Sequence, residues 1–572
     1  MTARPTSDRP AELGFIRKPM VQWFSPRELT DTALRVVISG IFGAYSDKRE
    51  IQAALPASPP FDYSDRSELW LDYVADLGDG FGPTYSVASL LAEEKLEVGS
   101  GSRSWPTQRG KLLVMGGDQV YPAATIRNYE NRLVGPYRAA LPMTASDHPH
   151  LFAVPGNHDW YDGLTTFMRV FCQQNWIGGW LTQQSRSYFA AKLPRGWWLW
   201  AIDIQFDDYI DQPQLTYFSE KVAPAVRPGD SIVLCSAKPS WVHANRSAPE
   251  AFVNLDYFER KVVRPTGASI RLSLSGDAHH YARYESTGGA HKITSGGGGA
   301  YLSATHRLPK ELELPPDESR APGKTTPPAH YELAARYPGR KESRHLKARV
   351  FALPVKNYGF WILMGVVHAL FAFTVAASLR EEGEDFVAAM TDLGVGDVLR
   401  GLRRSPLAIV LALVLMRGLV GLTKNKKAKG YAAGLLHGIA HLLVIAATIA
   451  AASQVFADLS GAAFRVSFVV SVGVIGGLLG SLVMAAYLYL ADAAGLNTNE
   501  LFSAHRNEHF KNFLRLRVDE DGTLTVYPIA VPRTTDKWTL SSSGDEGDPW
   551  FQPPEPIAVR LIEEPIRIEP SA

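Results

Sequence analysis

The most restrictive feature of this chain is where its charges are missing. The 134 residues from Asn357 to Leu490 hold 17 charged side chains, about 13% of the segment, against about 23% elsewhere. Within that window the charges cluster and leave four apolar stretches, Tyr358–Leu379, Pro406–Leu422, Tyr431–Ala457 and Val466–Leu490. Each approaches the ~17–25 residues that a membrane-spanning helix needs. Four such runs in succession are hard to bury in a soluble core, so a four-helix transmembrane bundle is expected over residues 357–491. The second run is the shortest and carries Arg417, which can snorkel to an interface.

The flanking cations set an expected orientation. Arg340, Lys341, Arg344, Lys347, Arg349 and Lys356 precede the first run, and Lys424, Lys426, Lys427 and Lys429 separate the second from the third. Positive loops stay inside. A multi-pass cell-membrane protein is therefore expected, with residues 1–350 and the tail after residue 491 both cytoplasmic. The mixed-charge loop from Arg380 to Arg404 is the one discordant flank. His368, His437 and His441 fall inside runs, the last two on one helical face. A metal or proton site is one reading of them; neutral imidazoles hydrogen-bonded between packed helices is the other.

Whole-chain averages hide this division. A net charge of +1 and a mean hydropathy of −0.09 over 572 residues come from adding a polar region to an apolar one. The length excludes a single small domain. Near-neutral charge argues against a nucleic-acid binder driven by bulk electrostatics, so no nucleic-acid binding is expected. Cys172 and Cys235 are the only cysteines, which excludes a disulfide framework and a cysteine-rich zinc module. No cationic start followed by a short apolar run occurs, so no cleaved signal peptide is expected.

Residues 1–68 read as a helical segment. Ser25-Pro26-Arg27-Glu28 has the form of a helix opening, followed by Leu29, Ala33, Val36, Val37, Ile41 and Phe42 on one face. Residues 69–306 read as an α/β domain with strands at Leu71–Ala75, Leu112–Met115, Leu151–Val154, Trp197–Ile202, Ser231–Leu234 and Ile270–Leu274. Its aromatic insertion Trp160–Ser187, with Trp176, Trp180 and Arg186, reads as domain packing ahead of a cleft wall or a membrane contact. Residues 307–356 read as a linker, and 492–572 as a cytoplasmic β-rich tail. In that tail Asp519-Glu520-Asp521-Gly522 turns a hairpin between Phe513–Val518 and Thr523–Ile529. The stretch Ser541–Pro556 looks flexible.

The chemistry lies at the strand ends. Asp76-Leu77-Gly78-Asp79, Gly117-Asp118-Gln119-Val120-Tyr121, Gly156-Asn157-His158-Asp159 and Gly276-Asp277-Ala278-His279-His280 each follow an apolar strand. Strand ends of one sheet converge, so these donors are expected in one cleft. Mixed carboxylate, amide, phenol and imidazole donors suit metal ions better than a nucleophilic triad.

In order and spacing these clusters resemble the calcineurin-like metallophosphoesterase superfamily, and the first two resemble its purple acid phosphatase form with Asp-x-Gly and Gly-Asp-x-x-Tyr. The resemblance covers residues 69–306. It implies a two-sheet sandwich flanked by helices. It also implies that Asp76, Asp118, Tyr121 and His279 hold one metal ion, with Asp118 bridging to a second ion bound by Asn157. His158, oriented by Asp159, would then assist the leaving oxygen. The family's Val-x-x-His is replaced here by Val233-Leu234-Cys235-Ser236, and its Gly-His-x-His by Gly276-Asp277-Ala278-His279. Both lost histidines belong to the second ion, which keeps Asp118, Asn157 and Asp277; His243, His280 and Asp79 are possible replacements. Two divalent or trivalent ions are implied, and an oxygen-rich set favours manganese, iron or magnesium.

The implied activity is hydrolysis of a phosphomonoester or phosphodiester by metal-activated water in a membrane-bound enzyme. A lipid headgroup or a nucleotide-like phosphoester near membrane lipid is the implied partner. The alternative is a degenerate phosphoesterase-like sensor or scaffold regulating its membrane bundle. Gly296–Gly299 either brings backbone close to a phosphate or makes a tight turn, and the role of His306 is open.

Overall fold

The computed structural model describes residues 5–31, 52, 59–143, 148–204, 209–246, 248–320, 323–381, 384–423, 428–542, 545 and 547–571. They form two compact units, one of Met1–Val21, Arg35–Ser343 and Asn507–Ala572, the other of Gln22–Leu34 and Arg344–Arg506.

The first unit is built on two large sheets. One runs, edge to edge, through Phe61–Asp62, Phe189–Lys192, Trp197–Ile202, Ser231–Ser236, Ser269–Ser275, His291–Ser295, Tyr281–Ser286, Ala329–Tyr337 and Glu311–Leu314. The other runs through Arg560–Leu561, Leu524–Val531, Lys511–Val518, Leu69–Val74, Leu112–Met115, His150–Ala153, Trp180–Thr182 and Trp176–Ile177, with Ile566–Ile568 pairing to Leu524–Val531. Leu71, Tyr73, Leu112, Val114 and Phe152 from one sheet pack with Trp197, Leu199, Val233, Leu272 and Leu274 from the other. Alternate residues face outward onto helices. Trp70, Val74, Leu113 and Met115 meet the helix Phe81–Ala92, and Trp198, Trp200, Ile232 and Leu234 meet Phe218, Trp241 and Phe258. Covering both faces explains the six successive buried residues of Trp197–Ile202. Each such side chain contributes about 1.5–3 kcal/mol on burial.

Three expectations about chain organisation change. The hairpin expected in a separate tail is central: Lys511–Val518 pairs antiparallel with Leu69–Val74, in the register Arg515↔Asp72. That pair is buried on both sides, with Arg515 Nε 3.1 Å from Asp72 Oδ1, and the guanidinium also donates to the carbonyls of Leu90, Leu91 and Glu93. The expected linker supplies the last two strands at one end of the first sheet, Ala329–Tyr337 and, at the edge, Glu311–Leu314. In the stretch that looked flexible, Trp550 and Phe551 are buried against the helix side of the sheet. In the aromatic insertion Trp180 and Arg186 are buried and Trp176 is exposed. Cys235 is buried between the sheets, where desolvation pushes its thiol up.

In the second unit, Ser25 Oγ accepts the Glu28 backbone N–H as the helix opening required. The expected face from Ala33 to Phe42 lies outside the described residues. Helices Tyr358–Leu379, Ala428–Val455 and Gly461–Ala493 are long and apolar enough to cross a membrane. The second expected span, Pro406–Leu422, is one half of a bent pair, meeting the helix Val395–Arg404 at 95°. The break falls at Ser405, whose side chain caps Ala408, and at Pro406, which has no N–H to continue the first helix. Among the described residues three helices are long and apolar enough for a span, or four if the bent pair is one span.

Candidate metal centre

Parallel strands carry the site. Leu69–Val74, Leu112–Met115 and His150–Ala153 are parallel neighbours in one sheet, and Ser231–Ser236, Ser269–Ser275 and His291–Ser295 in the other. Within each sheet the C-terminal ends of these strands therefore open toward one edge. Beyond the strands the first two loops keep running side by side, since Asp76, Leu77 and Gly78 donate to the carbonyls of Gly117, Asp118 and Gln119 at 3.0, 3.0 and 3.1 Å. Across the sandwich, the Asp76 carboxylate accepts the backbone N–H of Asp277 at 3.0 Å and of His279 at 3.2 Å. One carboxylate thus ties the two sheets together at the site.

Asp76, Asp118 and His279 each offer a ligand atom within 4.8 Å of the others, and all three are buried. Tyr121 completes the group. Its hydroxyl lies 3.0 Å from Asp118 Oδ2, 3.3 Å from Asp76 Oδ1 and 3.0 Å from His279 Nε2. A phenol carries one proton and cannot donate to all three. A cation among these atoms would accept a lone pair from each of them at once, which is the sense in which the residues fit a metal ion. Burial first, and Asp118 and Asp277 after it, hold the Asp76 carboxyl well above the usual range. Burial also lowers the His279 imidazole to about 3, so its ring is neutral and able to act as a ligand.

The second group of expected ligands also comes together. The Asn157 amide faces both carboxylates: with its nitrogen toward them it stands 3.1 Å from Asp277 Oδ1 and 3.3 Å from Asp118 Oδ2, and with its oxygen toward them it can ligate an ion between. His243, from the helix Ser240–Ala244, has Nε2 3.9 Å from Asp277 Oδ2. The other two candidate replacements are placed differently. Asp79 accepts the Val21 backbone N–H at 2.7 Å and lies beside Arg132, and His280 is buried with its Nδ1 unsatisfied. His306 is bonded to Ser343 Oγ at 2.9 Å.

His158 is oriented otherwise than expected. Its Nδ1 lies 2.8 Å from the Pro122 carbonyl, which makes Nδ1–H the donor, and its ring packs 4.4 Å from that of Tyr121. Asp159 is committed to the loop: Oδ2 accepts from Gly156 N at 2.8 Å and Gln119 N at 3.2 Å, and Oδ1 accepts the Tyr129 hydroxyl. It braces the turn that carries His158, while a backbone carbonyl sets the ring.

The backbone is held in an uncommon form here. Asp76, Asp118, Asp277 and His279 have φ of 58°, 49°, 66° and 47°. Each left-handed non-glycine residue costs roughly 1–3 kcal/mol, and such residues concentrate at functional sites. Two supports were not visible in the motifs. Lys511, from the C-terminal hairpin, is buried with its ammonium on the Ala300 carbonyl, and burial lowers it to about 8. The glycine run packs along the Asp76 loop, with Gly298 N donating to Ala75 O and Ala300 N to Asp76 O.

A β-carbon on Gly296 would stand 2.0 Å from Asp76 Oδ2 and 2.8 Å from the His279 backbone nitrogen. Gly296→Ala is therefore expected to displace Asp76 and weaken metal binding by roughly 10–100-fold, the cost typical of a disturbed ligand support. Gly339→Ala, which meets nothing within 4 Å, serves as control. Metal titration of the two variants is the measurement, and equal affinities would refute the expectation.

No protein-family model matches this chain, and no curated protein does. One solved structure, titled "Structure of PhoD", is similar over 49% of this chain and 70% of that chain, at 11% sequence identity and a TM-score of 0.27.

Proposed function

We propose that the chain is a membrane-bound, metal-dependent phosphoesterase that cleaves a phosphomonoester or phosphodiester with water. The carrying observation is the buried convergence of Asp76, Asp118 and His279 on the Tyr121 hydroxyl. Asp76, Asp118, Tyr121 and His279 would hold one ion, and Asp118, Asn157 and Asp277 a second, with manganese, iron or magnesium suited to so many oxygen donors. A bound ion of this kind neutralises phosphate charge and acidifies water.

The protein's own groups do the rest. With Nδ1–H committed to the Pro122 carbonyl, His158 Nε2 is the ring atom that can hold and deliver a proton to a departing oxygen. Asp159 keeps its loop in place, and the sheet-to-sheet hydrogen bonds of Asp76 keep the two halves of the site in register. The apolar helices support attachment to membrane lipid, and the Lys and Arg flanks support a cytoplasmic site. Its substrate would then be a lipid headgroup or a nucleotide-like phosphoester at that surface. The sensor or scaffold alternative draws on the second ion's missing histidine after Ser231–Ser236.

Metal affinity is expected to rise with pH. Asp76 and Asp277 must lose protons that burial makes them keep, whereas His279 is neutral at every pH above about 3. Manganese titration at about pH 5.5 and pH 8 should give the tighter binding at pH 8; the reverse order would count against these ligands. The activity itself is tested with bis-p-nitrophenyl phosphate across manganese, iron and magnesium. Manganese is expected to restore turnover to metal-stripped protein. A rate no higher than that of Asp118→Ala and His158→Ala would sink the proposal, and protein with no bound metal would favour the scaffold.

A further inference from the structure

His437 and His441 stand four residues apart on Ala428–Val455, so their side chains leave one face of the helix. They are 3% and 1% exposed, and their Nε2 atoms are 3.1 Å apart. Two imidazole nitrogens about 2.0–2.1 Å from one ion and 3.1 Å from each other subtend an angle of about 100° at it, between octahedral and tetrahedral values. A shared proton would also hold the rings at this distance. In either case the outer Nδ1 of each ring has no partner among the described residues. Two apolar side chains would pack there with no such cost, so packing alone does not account for the imidazoles.

The surroundings fix the rings. Tyr487 stacks on His437 at 3.9 Å and 3°, and its own hydroxyl is held by Asn497 at 2.9 Å. His368, on Tyr358–Leu379, is fully buried. Its Nδ1 donates to the Met364 carbonyl at 2.8 Å, and its Nε2 lone pair has no partner among the described residues. That tautomer, with one nitrogen on a carbonyl and the other bare, is the usual state of a metal-ligating histidine. Gly476 and Gly480 allow helix Gly461–Ala493 to close over its ring.

We infer that His437 and His441 form a separate binding site in the helical unit for one zinc- or copper-class ion, the class that imidazole nitrogen prefers. The inference does not depend on the phosphoesterase reading, because its test is made with the carboxylate site removed. Full-length Asp76→Asn/Asp118→Asn/Asp277→Asn/His279→Asn protein in detergent is loaded with zinc or with copper, desalted and analysed for metal. About one equivalent is expected to remain, falling to none when His437→Leu and His441→Leu are added. Copper resonance spectra should show nitrogen ligation that the added substitutions remove. If the leucine pair does not fold, His437→Phe keeps the stack on Tyr487 and is expected to lose the ion alone. Retention unchanged by these substitutions overturns the inference. So does absence of metal from the starting variant, including the outcome in which the pair carries protons across vesicles without binding an ion.

Discussion

Deleting residues 507–572 is expected to unfold the sandwich unit, although every candidate metal ligand is retained. The deletion removes the strand that pairs with Leu69–Val74 along five registered positions, leaving the strand that leads to Asp76 on an open edge. It also removes Leu514, Leu516, Val518, Leu524 and Val526 from the core between the sheets. At roughly 1.5–3 kcal/mol for each buried side chain, that loss alone rivals the ~5–15 kcal/mol stability of a typical domain. Arg515→Ala tests the same interface without truncation. It leaves the Asp72 carboxylate buried without its guanidinium, and the expected cost is about 3–5 kcal/mol. Urea unfolding followed by tryptophan fluorescence reads both, since Trp197, Trp198 and Trp200 lie in this unit. A folded truncated protein, or an Arg515→Ala midpoint equal to wild type, would show that the hairpin is an appendage.

Asp118→Asn is expected to lower phosphodiester hydrolysis by roughly three orders of magnitude, about 4 kcal/mol of barrier. The substitution keeps the shape and an oxygen to accept the His158 backbone N–H, now at 3.0 Å from Oδ1, so the loop has no reason to collapse. What it removes is the charge shared between the two proposed ions. The same charge raises the carboxyls of Asp76, Asp159 and Asp277, after burial in each case. Metal-free Asp118→Asn is therefore expected to melt higher than metal-free wild type, while losing metal and activity together. Loss of activity through unfolding would lower the melting temperature instead, which separates the two causes. Activity near wild type would remove Asp118 from the proposed mechanism.

The motifs at the strand ends were readable because each is local. A β-strand followed at once by Asp, Asn or His puts that side chain at a sheet edge, so Asp76, Asp118, Asn157, Asp277 and His279 could be named from short segments. The apolar helices were readable for the same reason, and Tyr358–Leu379 was delimited to the residue. The break at Ser405 and Pro406 was equally local, yet the direction in which the chain left it was not, because a bend of 95° depends on what each helix packs against.

Composition and pattern by themselves determined that this protein has an apolar helical region, a parallel α/β region and donor clusters of metal-binding chemistry. Only the tertiary structure decided that the last strands complete the first sheet, that His158 is set by the Pro122 carbonyl and not by Asp159, and that Gly296 and Lys511 support the site. The reason is sequence separation. Arg515 and Asp72 are 443 residues apart, and no period or spacing in a chain reports a contact between segments that meet only when both faces of a sheet are covered.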